Sequence, residues 1–189
     1  MNLGDGFSRA LLAISLVCLS WLGMMVVHEA GHALHAWASG GRVTGVLLHP
    51  LKISMTQVHP NPHPAFERWG GAVWGCLIPL GMLGVARLAR PSIAYLFRFF
   101  AGFCLIANGA YIGLGSLDGL RDAGNLMALG TPRWVLVAFG AVAAALGFWL
   151  WHGLHWVRGT ALRPHALGVL ALLVALVAAE LALYGPGWP

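Results

Sequence analysis

The chain has 189 residues, 59% of them hydrophobic and only 9% charged, with a mean hydropathy of +0.76. Soluble domains carry about a quarter charged residues, so water is not its main solvent. The net charge of +5 comes from 11 Lys and Arg against 6 Asp and Glu, but the basic residues stand singly between apolar runs. That pattern excludes a nucleic-acid-binding face and makes them flanking anchors of membrane spans.

Crossing about 30 Å of hydrocarbon takes roughly 20 apolar residues of helix, because no backbone polar group can be left unpaired in lipid. The expected fold is therefore an all-α membrane protein of about five transmembrane helices, with a small β-hairpin between the first and second. The first span runs from about Ala10 to Trp37 with Ser8 as N-cap. Arg9 before an apolar run, and Ala36-Trp37-Ala38 after it, resemble a secretion signal. The run is much longer than the roughly 7 to 15 apolar residues of such a signal, so it is expected to remain as a span. Gly40 to Ala65 holds two β-like runs, Arg42 to His49 and Lys52 to His59, broken by Pro50 and ended by Pro60, Pro62 and Pro64.

The second span runs from about Phe66 to Leu88 and the third from Ser92 to about Leu114. Gly113 to Thr131 is rich in Gly and polar residues, and is read as a re-entrant turn or a short helix. The fourth span is expected over Pro132 to Val157 and the fifth over His165 to Tyr184, with Pro91, Pro132 and Pro164 at helix starts. No internal repeat or linker interrupts this order. Residues 1–189 thus form a single membrane domain, with a candidate catalytic core over 10–130 and two accessory spans over 131–189. Lys and Arg divide six to five between the two sides, which sets no orientation. Trp69, Trp134 and Trp156 suit headgroup level, as do Trp151, His152 and His155 at the end of the fourth span. Cys18, Cys76 and Cys104 lie in apolar runs without CxxC spacing and read as small core or lipid-facing residues.

Within the first span stands His28-Glu29-Ala30-Gly31-His32. Helical residues four apart share a face, so His28 and His32 can offer two imidazole nitrogens to one tetrahedral Zn²⁺. Glu29 then lies beside the open metal position, where a carboxylate serves as general base and acid. Ionisable residues in a span are costly and mark a functional site. A catalytic zinc needs a third protein ligand, usually His or a carboxylate. Asp5 is terminal, Glu67 beside Arg68 reads as an interfacial ion pair, and Glu180 is alone in the last span. Asp118 and Asp122 remain as candidates.

Asn108, late in an apolar helix, needs a partner for its amide, from a neighbouring helix or from substrate. His35 shares the face of His28 and His32 and reads as an orienting group, a spare ligand or an interfacial residue, whereas His49, His59 and His63 read as solvated. The pairs Gly71-xxx-Gly75 and Gly109-xxx-Gly113 let helices approach closely.

His28, Glu29 and His32 in one span, followed two spans later by Asn108 and by Leu117-Asp118-Gly119, resemble the site-2 protease family of intramembrane zinc metalloproteases. The resemblance covers about Ala10 to Gly130, and Gly40-Gly41-Arg42-Val43 is similar to the hairpin of its compact, bacterial-type members. It implies a zinc-dependent endopeptidase with His28, His32 and an aspartate as metal ligands, Glu29 as the catalytic carboxylate, and Asn108 holding substrate or oxyanion. It also implies a membrane protein or peptide substrate, a place in the lipid bilayer of the bacterial cytoplasmic membrane, and any adaptor or further copy as a separate chain. The chain departs from the family in lacking proline between Asn108 and Asp118 and in a longer spacing there. The family's Asp-Gly-Gly-x-Leu-Leu continuation fits Asp122-Ala-Gly-Asn-Leu-Met better than the residues after Asp118, and the second aspartate would then orient a histidine. A catalytically silent pseudoprotease, or a metal-binding membrane protein that binds partner helices, would use the same histidines. Retention of Glu29 and the scarcity of polar residues in the last two spans favour the protease.

Overall fold

The structure, a computed structural model, describes residues 3–154 and 162–184. Five of its helices are long and apolar enough to cross a membrane. They are α1 (Leu3–Ala38), α2 (Pro64–Ala89), α3 (Ala94–Gly113, entered through a 3-10 turn at Pro91–Ile93), α6 (Arg133–Trp151) and α7 (Leu162–Tyr184). Between α3 and α6 lie two short helices, α4 (Gly115–Asp118) and α5 (Arg121–Ala128), so the polar Gly113 to Thr131 segment is helical and not a simple turn. The expected fourth span ends at Trp151, where His152 turns extended and Gly153 left-handed, and residues 155–157 of that expectation, with His155 and Trp156, lie outside the described residues.

The hairpin forms where the alternating runs place it, as strands β1 (Val43–Leu47) and β2 (Met55–Val58), antiparallel with Leu47 opposite Met55 and Val46 opposite Thr56. Proline explains several boundaries: Pro64 opens α2, Pro91 precedes α3, and Pro132 caps α6 in an extended conformation that cannot continue a helix.

In the bundle α6 packs on α3, α3 on α2, α2 on α1, and α1 on α7. The α1 and α2 backbones meet at Gly31 and Gly70, and α3 meets α6 at Gly109 and Gly140, so small residues set the spacing where lipid supplies no hydrophobic drive. One apolar cluster joins Leu12 and Leu16 of α1 to Leu162, Ala166 and Val169 of α7, and another joins Cys76 and Leu83 of α2 to Leu105 of α3 and Leu150 of α6. Cys18 is exposed, whereas Cys76 and Cys104 are buried, all three as free thiols. Outward faces carry Val85, Leu88, Trp149 and Leu183, as expected of helices solvated by acyl chains. Trp134 is exposed at the start of α6, while Trp69 turns inward against Phe139.

Arg98, the basic residue within the third span, caps a neighbouring helix. Its Nε donates to Leu150 O at 2.6 Å and its Nη2 to His152 O at 2.7 Å, which satisfies carbonyls at the C-terminal end of α6 and places a cation at the negative pole of that helix. Arg98→Met should therefore lower stability by about 1–3 kcal/mol, read as a lower midpoint of thermal unfolding in detergent, with Arg98→Lys recovering part of the loss.

Candidate metal centre

Helix α1 places His28 and His32 one turn apart on the face turned toward α2, α3 and α5. The two Nε2 atoms are 3.2 Å from each other, and Asp122 Oδ2, on the first turn of α5, lies 3.2 Å from each. Each residue of this buried group offers one ligand atom, and these atoms lie within 4.8 Å of one another, so the three could hold a metal ion.

The back of each ring fixes its tautomer. His28 Nδ1 donates to Asn108 Oδ1 at 2.7 Å, and Asn108 Nδ2 donates in turn to Cys104 O at 2.9 Å, which orients the amide. His32 Nδ1 donates to the Glu67 carbonyl at 3.1 Å and lies 2.9 Å from Glu67 Oε1. Both Nδ1 atoms thus donate outward, which turns both Nε2 atoms, the ones a metal would bind, to the shared position, the arrangement that outer partners give metal-binding histidines. Tyr111 closes one side with its ring edge-on to His28, centroids 5.4 Å apart. Opposite stands Gly71, where a Cβ would fall 2.6 Å from His28 Nε2 and also on His32 Nε2. The Gly71-xxx-Gly75 pair therefore makes room for the site, since a Cβ on Gly75 would meet Asn108.

Glu29 is buried beside this group, and its Oε2 accepts a hydrogen bond from Thr56 Oγ1 of β2 at 2.6 Å. A cavity of about 380 Å³ reaches Glu29, His32 and Asp122 between β2 and α5. A second, apolar cavity of about 390 Å³ reaches His28 and Glu29 from the other side, past Trp21, Met24, Met25 and Ala107.

Of the two aspartates, the structure brings Asp122 to the histidines and leaves Asp118 exposed. The reason is local. Gly119 takes a left-handed conformation (φ 67°) that ends α4 immediately after Asp118, and the chain turns before Arg121 starts α5, whose first turn faces α1. Burial alone would raise the pKa of Asp122, but hydrogen bonds from His28 and His32 outweigh it and hold the carboxyl well below the usual carboxylate range.

Some of the other residues depart from the sequence reading and some follow it. Glu67 does pair with Arg68, whose Nε lies 3.3 Å from its Oε2, but it is fully buried and its other oxygen stands against His32. Arg68 also reaches Asp122 Oδ1 at 3.1 Å. His35 turns away from the metal group: its Nδ1 donates to Phe66 O at 2.6 Å and its ring stacks on Phe66 with centroids 3.9 Å apart. His59 and His63 are exposed, and His49 Nδ1 accepts from Leu51 N within the hairpin turn. Glu180 is buried on α7 and takes no part in the group. Thr56 and Tyr111 escaped the sequence reading. The period-2 pattern of the second β-like run could have pointed to Thr56, whereas nothing local singles out Tyr111.

No protein-family model, curated protein or solved structure matches this chain. What defines the site is its geometry: a buried group of two histidines and an aspartate, able to hold a metal ion, in a bundle of helices apolar enough to cross a membrane.

Metal analysis of the purified protein checks the ligand set. Asp122→Asn and Gly71→Ala should each reduce bound metal well below one equivalent, the first by removing the anion and the second by filling the cradle, while Asp118→Asn keeps the wild-type content.

Proposed function

We propose that this chain is an intramembrane zinc metalloprotease of the site-2 protease kind, hydrolysing a peptide bond in or near a transmembrane segment of a membrane protein. The observation that carries this reading is Glu29: a buried carboxylate, oriented by Thr56, beside a two-histidine, one-aspartate donor set and lining both cavities. Three protein ligands with a position left for water are the usual set of a catalytic zinc, and imidazole with carboxylate suits that ion. When bound, zinc supplies a Lewis acid that polarises the scissile carbonyl and acidifies water.

The remaining chemistry belongs to the chain. Glu29 accepts the proton of the attacking water and delivers it to the departing amine nitrogen. Asn108 spends both ends of its amide on His28 and on its own helix, so in this reading it serves the reaction by fixing the His28 ring. A helical substrate hides its peptide bonds in its own hydrogen bonds and must unwind before cleavage. β2 offers a template for the unwound strand: it pairs with β1 on one side, and Met55 to Val58 line the cavity that holds Glu29. The apolar cavity suits a hydrophobic substrate side chain arriving from lipid, and the other cavity suits water. The setting proposed for it, on the resemblance in the motif, is a bacterial cytoplasmic membrane.

Glu29→Gln tests the assignment. Incubated with a single-span membrane substrate, it should retain its metal and lose cleavage by about 10²- to 10⁴-fold. Equal cleavage by variant and wild type would remove Glu29 as the base, and a fully metallated wild type inert toward every membrane-embedded peptide would favour the silent metal-binding alternative.

A further inference from the structure

We propose that Arg68 is a positioning residue for the metal centre: by holding Asp122 Oδ1 it commits that carboxylate to binding metal through Oδ2 alone, with Glu67 securing both Arg68 and the His32 ring. This rests on His28, His32 and Asp122 being the metal ligands.

The two oxygens of Asp122 have separate partners. Oδ2 faces the two Nε2 atoms at 3.2 Å, while Oδ1 accepts a hydrogen bond from Arg68 Nη1 at 3.1 Å. A carboxylate with both oxygens free can take a metal through either or both, and a second oxygen on the metal would occupy the position that hydrolysis needs for water. The Arg68 guanidinium removes that choice by directing an N–H at Oδ1.

Arg68 is itself held. Its Nε lies 3.3 Å from Glu67 Oε2, which also accepts from Asn61 Nδ2 at 3.3 Å. Glu67 Oε1 is fully buried, has no hydrogen bond of good geometry, and sits 2.9 Å from His32 Nδ1. The contacts run from His32 to Glu67 to Arg68 to Asp122 and back to His32, a closed ring. Two successive residues in the opening turns of α2 thus orient a ligand from α1 and a ligand from α5. A planar fork suits this bridging role, since it can face two carboxylates at once where an ammonium acts as a point charge.

The charges agree with this role. Glu29, Glu67 and Asp122 are three buried carboxylates, and Arg68, with its side chain about 30% exposed, is ion-paired with two of them. One guanidinium and one divalent cation together neutralise three carboxylates, whereas loss of Arg68 leaves an uncompensated buried anion even in the metallated protein.

The test needs no substrate. Wild type, Arg68→Ala, Arg68→Lys, Arg68→Met and Glu67→Gln are purified, stripped and loaded with Co²⁺ or Zn²⁺, and three quantities are read: metal affinity against a competing chelator, the visible absorption of the Co²⁺ form, and thermal unfolding of the metal-free form. Arg68→Ala should lose about 10- to 100-fold in metal affinity, and its Co²⁺ absorption should weaken as a second carboxylate oxygen raises the coordination number. Arg68→Lys should retain the wild-type spectrum in part, and Glu67→Gln should lower affinity with a smaller spectral change. Should Arg68→Ala fail to fold, the Lys and Met variants carry the comparison, with the spectrum changed in Met and retained in part in Lys. A purely structural Arg68 would lower the unfolding temperature of the metal-free variants and leave affinity and spectrum at wild-type values, and that result overturns the proposal. An unchanged spectrum with weakened affinity overturns it too. A wild-type protein that takes up neither ion would defeat the metal centre itself, a distinct failure.

Discussion

Asp122 Oδ2 meeting two imidazole nitrogens at 3.2 Å inside an apolar bundle is the contact on which the rest of the structure depends. Removing ionisable groups from water costs several kcal/mol each unless opposite charge and hydrogen bonds replace the lost solvent. Each member of the group accordingly has a second partner: Asn108 behind His28, Glu67 behind His32, and Arg68 on the far oxygen of Asp122. The chain between α3 and α6 must then bend back far enough to bring Asp122, on the first turn of α5, within reach of the α1 histidines, which no long apolar helix could do. Two short helices separated by a left-handed glycine meet that need.

The parts that support the site come from one end of the bundle. α1 contributes its last three turns, α2 its first three, α3 its closing turns and the hairpin one strand. From His28 to the end of α1 at Ala38 is ten residues, about 15 Å along the axis, so the group sits within a helix long enough to span while remaining in reach of irregular backbone. Irregular backbone at such depth is tolerated only where protein covers it or water lines it. The cavity between β2 and α5 is bounded by such segments.

The sequence made the spans legible because their signal is composition over about twenty residues, which no tertiary contact overrides. The histidine pair was legible because its geometry is fixed by one helical turn. The choice between Asp118 and Asp122 was not, because four residues of separation on a short polar segment say nothing about which side of a left-handed turn faces α1. The contacts of Glu67 with His32 and of Arg68 with Asp122 were not legible either, for a related reason. Adjacent opposite charges at the start of an apolar helix have the composition of an interfacial anchor, and only the close approach of α1 and α2 at Gly31 and Gly70 turns that position inward. Asn108 announced its need for a partner without naming it, and the partner, His28, lies 80 residues away in the chain.

Glu29 links the metal group to the rest of the molecule. Its carboxylate lines both cavities, one with a mixed polar lining and one nearly all apolar. A protease working inside lipid must bring water and an apolar chain to the same atom without letting lipid fill the route of either, and separate approaches to one carboxylate satisfy that requirement. Thr56 joins the two demands, because the strand that offers a pairing edge also donates the hydrogen bond that aims Glu29. Seating a substrate strand along β2 would press on the residue that orients the base, so in the proposed reaction binding and proton transfer share one mechanical element.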